Sequence, residues 1–123
     1  MTADKAYAEL ERRFARLSAI GRASAILNWD RSTMMPDGAS EDRADQLATL
    51  GVVAHEIMTA PDMPELLARA EEGQAVLGTW QAANLREMRR SWVHDSALPA
   101  DLVEARTRAT TACEHAWREA RKN

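Results

Sequence analysis

The sequence predicts an all-α fold: about five helices in an antiparallel, bundle-like array, opened by a long N-terminal helix. Three observations carry that expectation. β-branched and aromatic residues are sparse, and no stretch alternates polar with apolar for long. Ala, Glu, Arg and Leu dominate, and all four lose little on entering a helix. Pro residues and three of the five glycines fall at helix boundaries, in "MMPDG", "TAPDMP" and "ALPAD", and at Gly73 and Gly78.

The first helix is expected from about Ala3 to Trp29. Tyr7, Leu10, Phe14, Leu17, Ile20, Ser24 and Leu27 recur at steps of three and four, which makes one narrow seam. Glu9, Glu11, Arg12, Arg13 and Arg16 lie off it. A helix of this length rises about 40 Å, more than a small globule needs. It is expected to pack against a larger body or a second chain, the seam serving for dimerisation in the latter case.

Pro36 and Gly38 then permit a reversal, since the residue before a proline is driven out of the helical region. Ser40 is the expected N-cap of the second helix, with Glu41 and Asp42 at its positive end. Leu47, Leu50, Ala54 and Ile57 form its buried stripe, and Pro61 ends it. Asp62 and Glu65 have capping-box spacing for a short third helix, with Pro64 in its first turn and Gly73 as its stop. Its apolar side is Leu66, Leu67 and Ala70. A fourth helix, Thr79 to His94, is anchored by Trp80, Leu85, Met88 and Trp92. Pro99 opens a fifth, with Leu102, Ala109, Cys113, Ala116 and Trp117 on its apolar side.

Length and charge narrow the function. The 123 residues suit one helical domain, 1–123. A net charge of -3, from 16 basic and 19 acidic residues, argues against nucleic acid, which needs a basic face. No apolar run is long enough to span a membrane, and "MTADKAYAELERR" lacks the core of a secretory signal. Cys113 is the single cysteine, so no internal disulfide forms; a reducing, cytoplasmic setting is expected.

No complete catalytic motif appears. His55-Glu56 opens a zinc signature, but the second histidine position holds Thr59, a poor zinc ligand. Glu114 and His115 are helix neighbours and diverge by about 100°, so they are not a ready acid–base pair. His94 precedes Asp95 at a helix end, where capping is expected. There is no phosphate loop and no nucleophile elbow. The expected catalytic set and the expected metal set are therefore both empty. Trp29, Trp80, Trp92 and Trp117 read as core anchors; the rival reading is that some face a partner surface.

The stretch "ILNWDRSTMMPDGASEDRADQLATLGVVAHEIMTAP" carries a resemblance. It is similar to the early segment of the carboxypeptidase Taq family of zinc metallocarboxypeptidases. The matching positions are Leu27, Trp29, Asp30, Thr33, Met35, Pro36, Gly38, Arg43, Ala44, Leu47, Leu50, His55 and Glu56. "LREMRRSW", "LPADLV" and "AWREARKN" resemble the helices that follow, in order. The resemblance implies a fold that is all-α and much longer than this chain, so that these helices are incomplete relative to it. It also implies a zinc site in a downstream His-Glu-x-x-His helix, which is absent from these residues. No catalytic or metal-binding residue carries over. What carries over is a structural corner: Trp29, Asp30, Thr33, Met35, Pro36, Gly38 and Arg43. Asp30 is expected either to pair with Arg43 across the turn or to accept amides at the start of the second helix.

The functional expectation is a helical scaffold or cleft cover of a zinc carboxypeptidase. It would be inactive alone, with zinc only in the full-length parent, and partnered by the catalytic body or by a second copy. The alternative is a free-standing helical dimerisation module. A further alternative is a small metal or ligand sensor around His55, His94 and His115.

Overall fold

The structure, a computed structural model, describes residues 1–123. It is all-α. Five helices run in the order α1 (Ala3–Thr33), α2 (Ser40–Met58), α3 (Met63–Glu72), α4 (Thr79–Ser96) and α5 (Ala100–Lys122). Short 3-10 turns at Asp37–Ala39 and Gln74–Val76 fill two of the connections. No helix is long and apolar enough to cross a membrane. The chain divides into two compact units, Met1–Ser18 with Glu56–Leu98, and Ala19–His55 with Pro99–Asn123.

The first unit is built on an apolar core. Tyr7 and Leu10 of the α1 seam meet Met63, Leu66, Leu67 and Ala70 of α3 and Leu85 and Met88 of α4, with Phe14, Leu77 and Trp92 packed at the edge. The expected stripe of α3 is therefore present, and Met63 joins it. Each large side chain so buried contributes about 1.5–3 kcal/mol. The N-terminal half of the seam is consumed in this core, so it is not a free dimerisation surface.

The capping of α3 differs from the expectation. Asp62 occupies the N-cap position, but its backbone is already helical and its side chain caps nothing. Its carboxylate instead takes both arms of Arg13, at 2.8 and 2.6 Å. A two-armed charged contact is stronger than a single amide bond, so the arginine wins the oxygens. Gly73 ends α3 as expected, its N–H reaching Ala70 O at 3.1 Å. At the start of α4, Gln81 Oε1 accepts from the Gly78 N–H at 3.0 Å.

The second unit has a thinner apolar interior, in which Leu47 and Ala48 of α2 are the buried hydrophobic residues. Polar groups fill the rest, and α5 shows why. Its expected apolar side is outside: Leu102 is 48% and Trp117 58% exposed, and Ala109, Cys113 and Ala116 are exposed too. The inward stripe is Val103, Thr107, Thr111, Glu114 and Arg118. Thr107 and Thr111 hydroxyls donate to the carbonyls four residues back, at 3.0 and 2.9 Å. That back-bonding satisfies each hydroxyl locally and lets a polar stripe turn inward.

Candidate functional site

The corner that joins α1 to α2 is assembled from short-range bonds. The Asp30 carbonyl accepts from the N–H groups of both Met34 and Met35, at 3.0 and 2.9 Å, which closes the last turn of α1. Thr33 Oγ1 donates to the Trp29 carbonyl at 2.7 Å, four residues back. Pro36 then takes an extended conformation, φ -62° and ψ 149°, and starts the 3-10 turn, with Ala39 N–H on Pro36 O at 3.0 Å. Gly38 lies inside that turn with negative φ and open space around its α-carbon. The reversal therefore does not use glycine's left-handed freedom. Ser40 is already helical, so it continues the 3-10 turn into α2 and is not an N-cap.

Across this corner the expected ion pair is present. Arg43 Nη1 donates to Asp30 Oδ2 at 2.6 Å and to the Leu27 carbonyl at 3.0 Å, while its Nε reaches Gln46 Oε1 at 2.9 Å. The Arg43 side chain is 15% exposed and that of Asp30 31%, so the pair is shielded enough to hold the turn. Trp29 is exposed, as are Thr33, Pro36 and Gly38 of the same corner: its ring is 57% exposed and belongs to no buried core.

Beside the corner lies a cluster that sequence reasoning missed. Arg31 is nine-tenths buried. Its Nη1 donates to Thr111 Oγ1 at 3.0 Å, and its Nη2 pairs with Glu114 Oε2 at 2.9 Å. Arg118 caps the same region, with Nη1 on the Arg31 carbonyl and Nη2 on Ser32 Oγ at 3.1 Å. Burying a guanidinium costs several kcal/mol unless a charge and further acceptors repay it, and Glu114 and Thr111 do so here. The available signal was the step of four joining Val103, Thr107 and Thr111, followed by Glu114 and Arg118. It marks a helix face whose donors can bond inward.

The candidate metal ligands are not brought together. No three His, Cys, Asp or Glu side chains converge anywhere in the chain. His94 belongs to the first unit, and His55 and His115 to the second. The carboxylates nearest to arginines are committed to them: Glu9 to Arg12 and Arg13, Glu71 to Arg89, and Asp45 to Arg108. A divalent zinc site needs at least three free donors in tetrahedral reach, and this donor set does not fit one.

The chain is all-α, and Arg43 pins its Trp-Asp corner. The profile described as "Carboxypeptidase Taq (M32) metallopeptidase" matches residues 9–123, so the chain belongs to that family of metallopeptidases. Thermostable carboxypeptidase 1 of Thermus thermophilus is 34% identical over 126 residues, which cover 98% of this chain and 24% of the relative. Thermostable carboxypeptidase 1 of Pyrococcus furiosus is 28% identical over 109 residues, covering 89% of this chain and 22% of the relative. Among solved structures, Trypanosoma cruzi metallocarboxypeptidase 1 superposes with a TM-score of 0.79 at 40% identity, over 85% of this chain and 22% of that one. The chain thus spans about a quarter of the length of the relatives it matches.

Proposed function

We propose that these helices are the N-terminal scaffold of a zinc-dependent carboxypeptidase, one wall of its cleft, and that they are non-catalytic by themselves. The rest of the family body would supply the metal and remove residues from peptide C-termini. The observation that carries this reading is the placement of the tryptophans. Trp80 is 88% exposed, Trp117 58% and Trp29 57%, and only Trp92 packs on a core. Large aromatic surfaces left in water favour a partner that covers them. The remaining three quarters of a chain as long as the Thermus relative would be such a partner. A reducing cytoplasmic setting, which preserves the exposed Cys113 thiol, completes the proposal.

The test is complementation. The chain alone, with zinc, is expected to release no amino acid from an N-blocked dipeptide. Mixed with a polypeptide covering the other three quarters of the Thermus relative, it is expected to restore release. Chelator-sensitive hydrolysis by this chain alone would overturn the proposal.

The same exposed tryptophans also serve the second reading, a free-standing module that pairs with a second copy. Sedimentation at high concentration separates the two. A stable dimer whose formation is lost in Trp80→Ala favours the module, and a monomer that binds the remaining body favours the scaffold.

A further inference from the structure

In the first unit a cleft of about 430 Å³ lies between the start of α1 and α4. Tyr7 and Glu11 stand one turn apart on α1, and Trp80, Asn84 and Glu87 share one face of α4 by their steps of four and three. Three observations bear on what the cleft would hold. First, it is lined by aromatic rings. Tyr7 is buried at its base, where its hydroxyl accepts from Asn84 Nδ2 at 3.2 Å, while Trp80 is 88% exposed. Second, the charged groups that line it are carboxylates, with no Lys, Arg or His among them. Glu11 makes no ion pair, and Glu87 has an exposed contact with Arg90 at 3.1 Å, of the kind that contributes little. Third, the same unit builds a similar set with its cation in place. Arg89 donates from Nε and Nη2 to Glu71 at 2.8 and 2.7 Å and lies over the Trp92 ring, 5.4 Å from its centroid. At Trp80 the ring and the carboxylates are present without an arginine, and Glu11, Trp80, Asn84 and Glu87 are all open to solvent.

We propose that this cleft binds a guanidinium cation. Its plane stacks on the Trp80 indole, its N–H groups donate to the Glu11 and Glu87 carboxylates, and its alkyl stem lies along the ring. Asn84 Oδ1, left over by the bond of Nδ2 to Tyr7, is a further acceptor. An aromatic face attracts a cation, and a guanidinium suits this set better than an ammonium, being planar, weakly hydrated and armed with a fork of donors. The head group is common to a free alkylguanidine and to an arginine side chain. The assignment goes beyond the scaffold reading, because it uses only side chains of this chain and stands whether or not a further body docks.

The test is an NMR titration of the full chain at constant ionic strength, with ethylguanidinium, propylammonium and N-acetyl-glycyl-arginyl-glycinamide as probes. Ethylguanidinium is expected to saturate with a Kd on the order of 5 mM, as suits a ligand of so few atoms on an open site. The shifts should centre on the amides of Glu11, Asn84 and Glu87 and on the Trp80 indole N–H. Propylammonium, of similar length and equal charge, should bind at least about three-fold more weakly, because it cannot stack. Trp80→Ala and Glu11→Gln alter exposed side chains, so the fold is retained, and each should weaken binding about three-fold. Combined with Glu87→Gln, they should lower affinity at least about ten-fold. The peptide against ethylguanidinium tells the source: tighter peptide binding assigns an arginine side chain, tighter ethylguanidinium a free alkylguanidine. Non-saturating shifts, a Trp80→Ala or triple-variant affinity equal to the parent's, or propylammonium binding as tightly as ethylguanidinium would each overturn the assignment.

Discussion

Two glycines show how little residue type alone decides. A β-carbon on Gly73 would lie 2.5 Å from the Ala3 side chain, far inside contact distance, because the start of α1 runs against the end of α3. Gly73→Ala is therefore expected to cost about 1–3 kcal/mol, the range for overpacking, seen as a lower melting temperature. Adding Ala3→Gly should return most of it, and strict additivity in that double-mutant cycle would refute the clash. Gly38, by contrast, has nothing within 4 Å and no positive φ. Gly38→Ala should leave stability unchanged or raise it by about 0.4–1 kcal/mol, through the unfolded chain. At the corner, Asp30→Asn removes the charge that faces the shielded Arg43, which keeps its bonds to Leu27 and Gln46. A loss of about 1 kcal/mol in a denaturant titration is expected; an unchanged midpoint would mean that the pair does not hold the turn.

Among the elements, α3 is the best tied, and its ties predict a pH response. The Arg89 guanidinium hydrogen-bonded to Glu71 holds that carboxyl below its usual range, and Arg13 does the same to Asp62. Glu9 is lowered too, by its hydrogen bonds to Arg13 and then Arg12. All three carboxyls are more acidic in the folded chain than in the unfolded one. Their stabilisation is complete above the ordinary carboxylate range, about pH 4–5, and is lost as the pH falls through the folded values. Stability measured by denaturant should drop from pH 5 towards about pH 3, and Glu71→Gln with Asp62→Asn should flatten that slope. A slope unchanged in the double variant would place the acid sensitivity elsewhere. The apolar stripe of α3 was legible in the sequence because Leu66, Leu67 and Ala70 obey a helical period and bury simply. The face of α5 was not, because the pattern Leu102, Cys113 and Trp117 is the more apolar one yet lies outside. Hydrophobic periodicity reports the face that leaves water, and in α5 the inward contacts are hydrogen bonds between Thr111, Glu114 and Arg31. The Asp30–Arg43 pair was legible because both residues flank a proline turn. Arg31 was not, because its partners lie 80 and more positions away.

At the scale of the whole molecule, burial is unevenly shared. The unit of Met1–Ser18 and Glu56–Leu98 holds nearly all of the buried hydrophobic residues, Leu10, Met63, Leu67 and Leu85 among them, each at most 1% exposed. The other unit buries Leu47 and Ala48 and otherwise relies on the Arg31 network. Apolar burial contributes about 25 cal/mol per Å², while a typical hydrogen bond nets only about 1 kcal/mol, so the second unit is expected to open first. Amide exchange should report this directly. Protection should be highest at Leu10, Leu67 and Leu85, and lower by at least about ten-fold at Leu47, Thr107 and Thr111, the last three exchanging through a shared local opening. Equal protection in both units would mean that the polar network stabilises as much as the apolar core. The difference also bears on function. On the proposed scaffold reading, the unit with fewer buried apolar residues, which carries Trp29 and Trp117 on its surface, is the one expected to gain most from being covered. Binding the remaining body of the family should therefore slow exchange at Thr107 and Thr111 more than at Leu67. The same ratio measured in Trp117→Ala should return towards that of the free chain, since a side chain already 58% exposed can be removed with little effect on the chain's own packing.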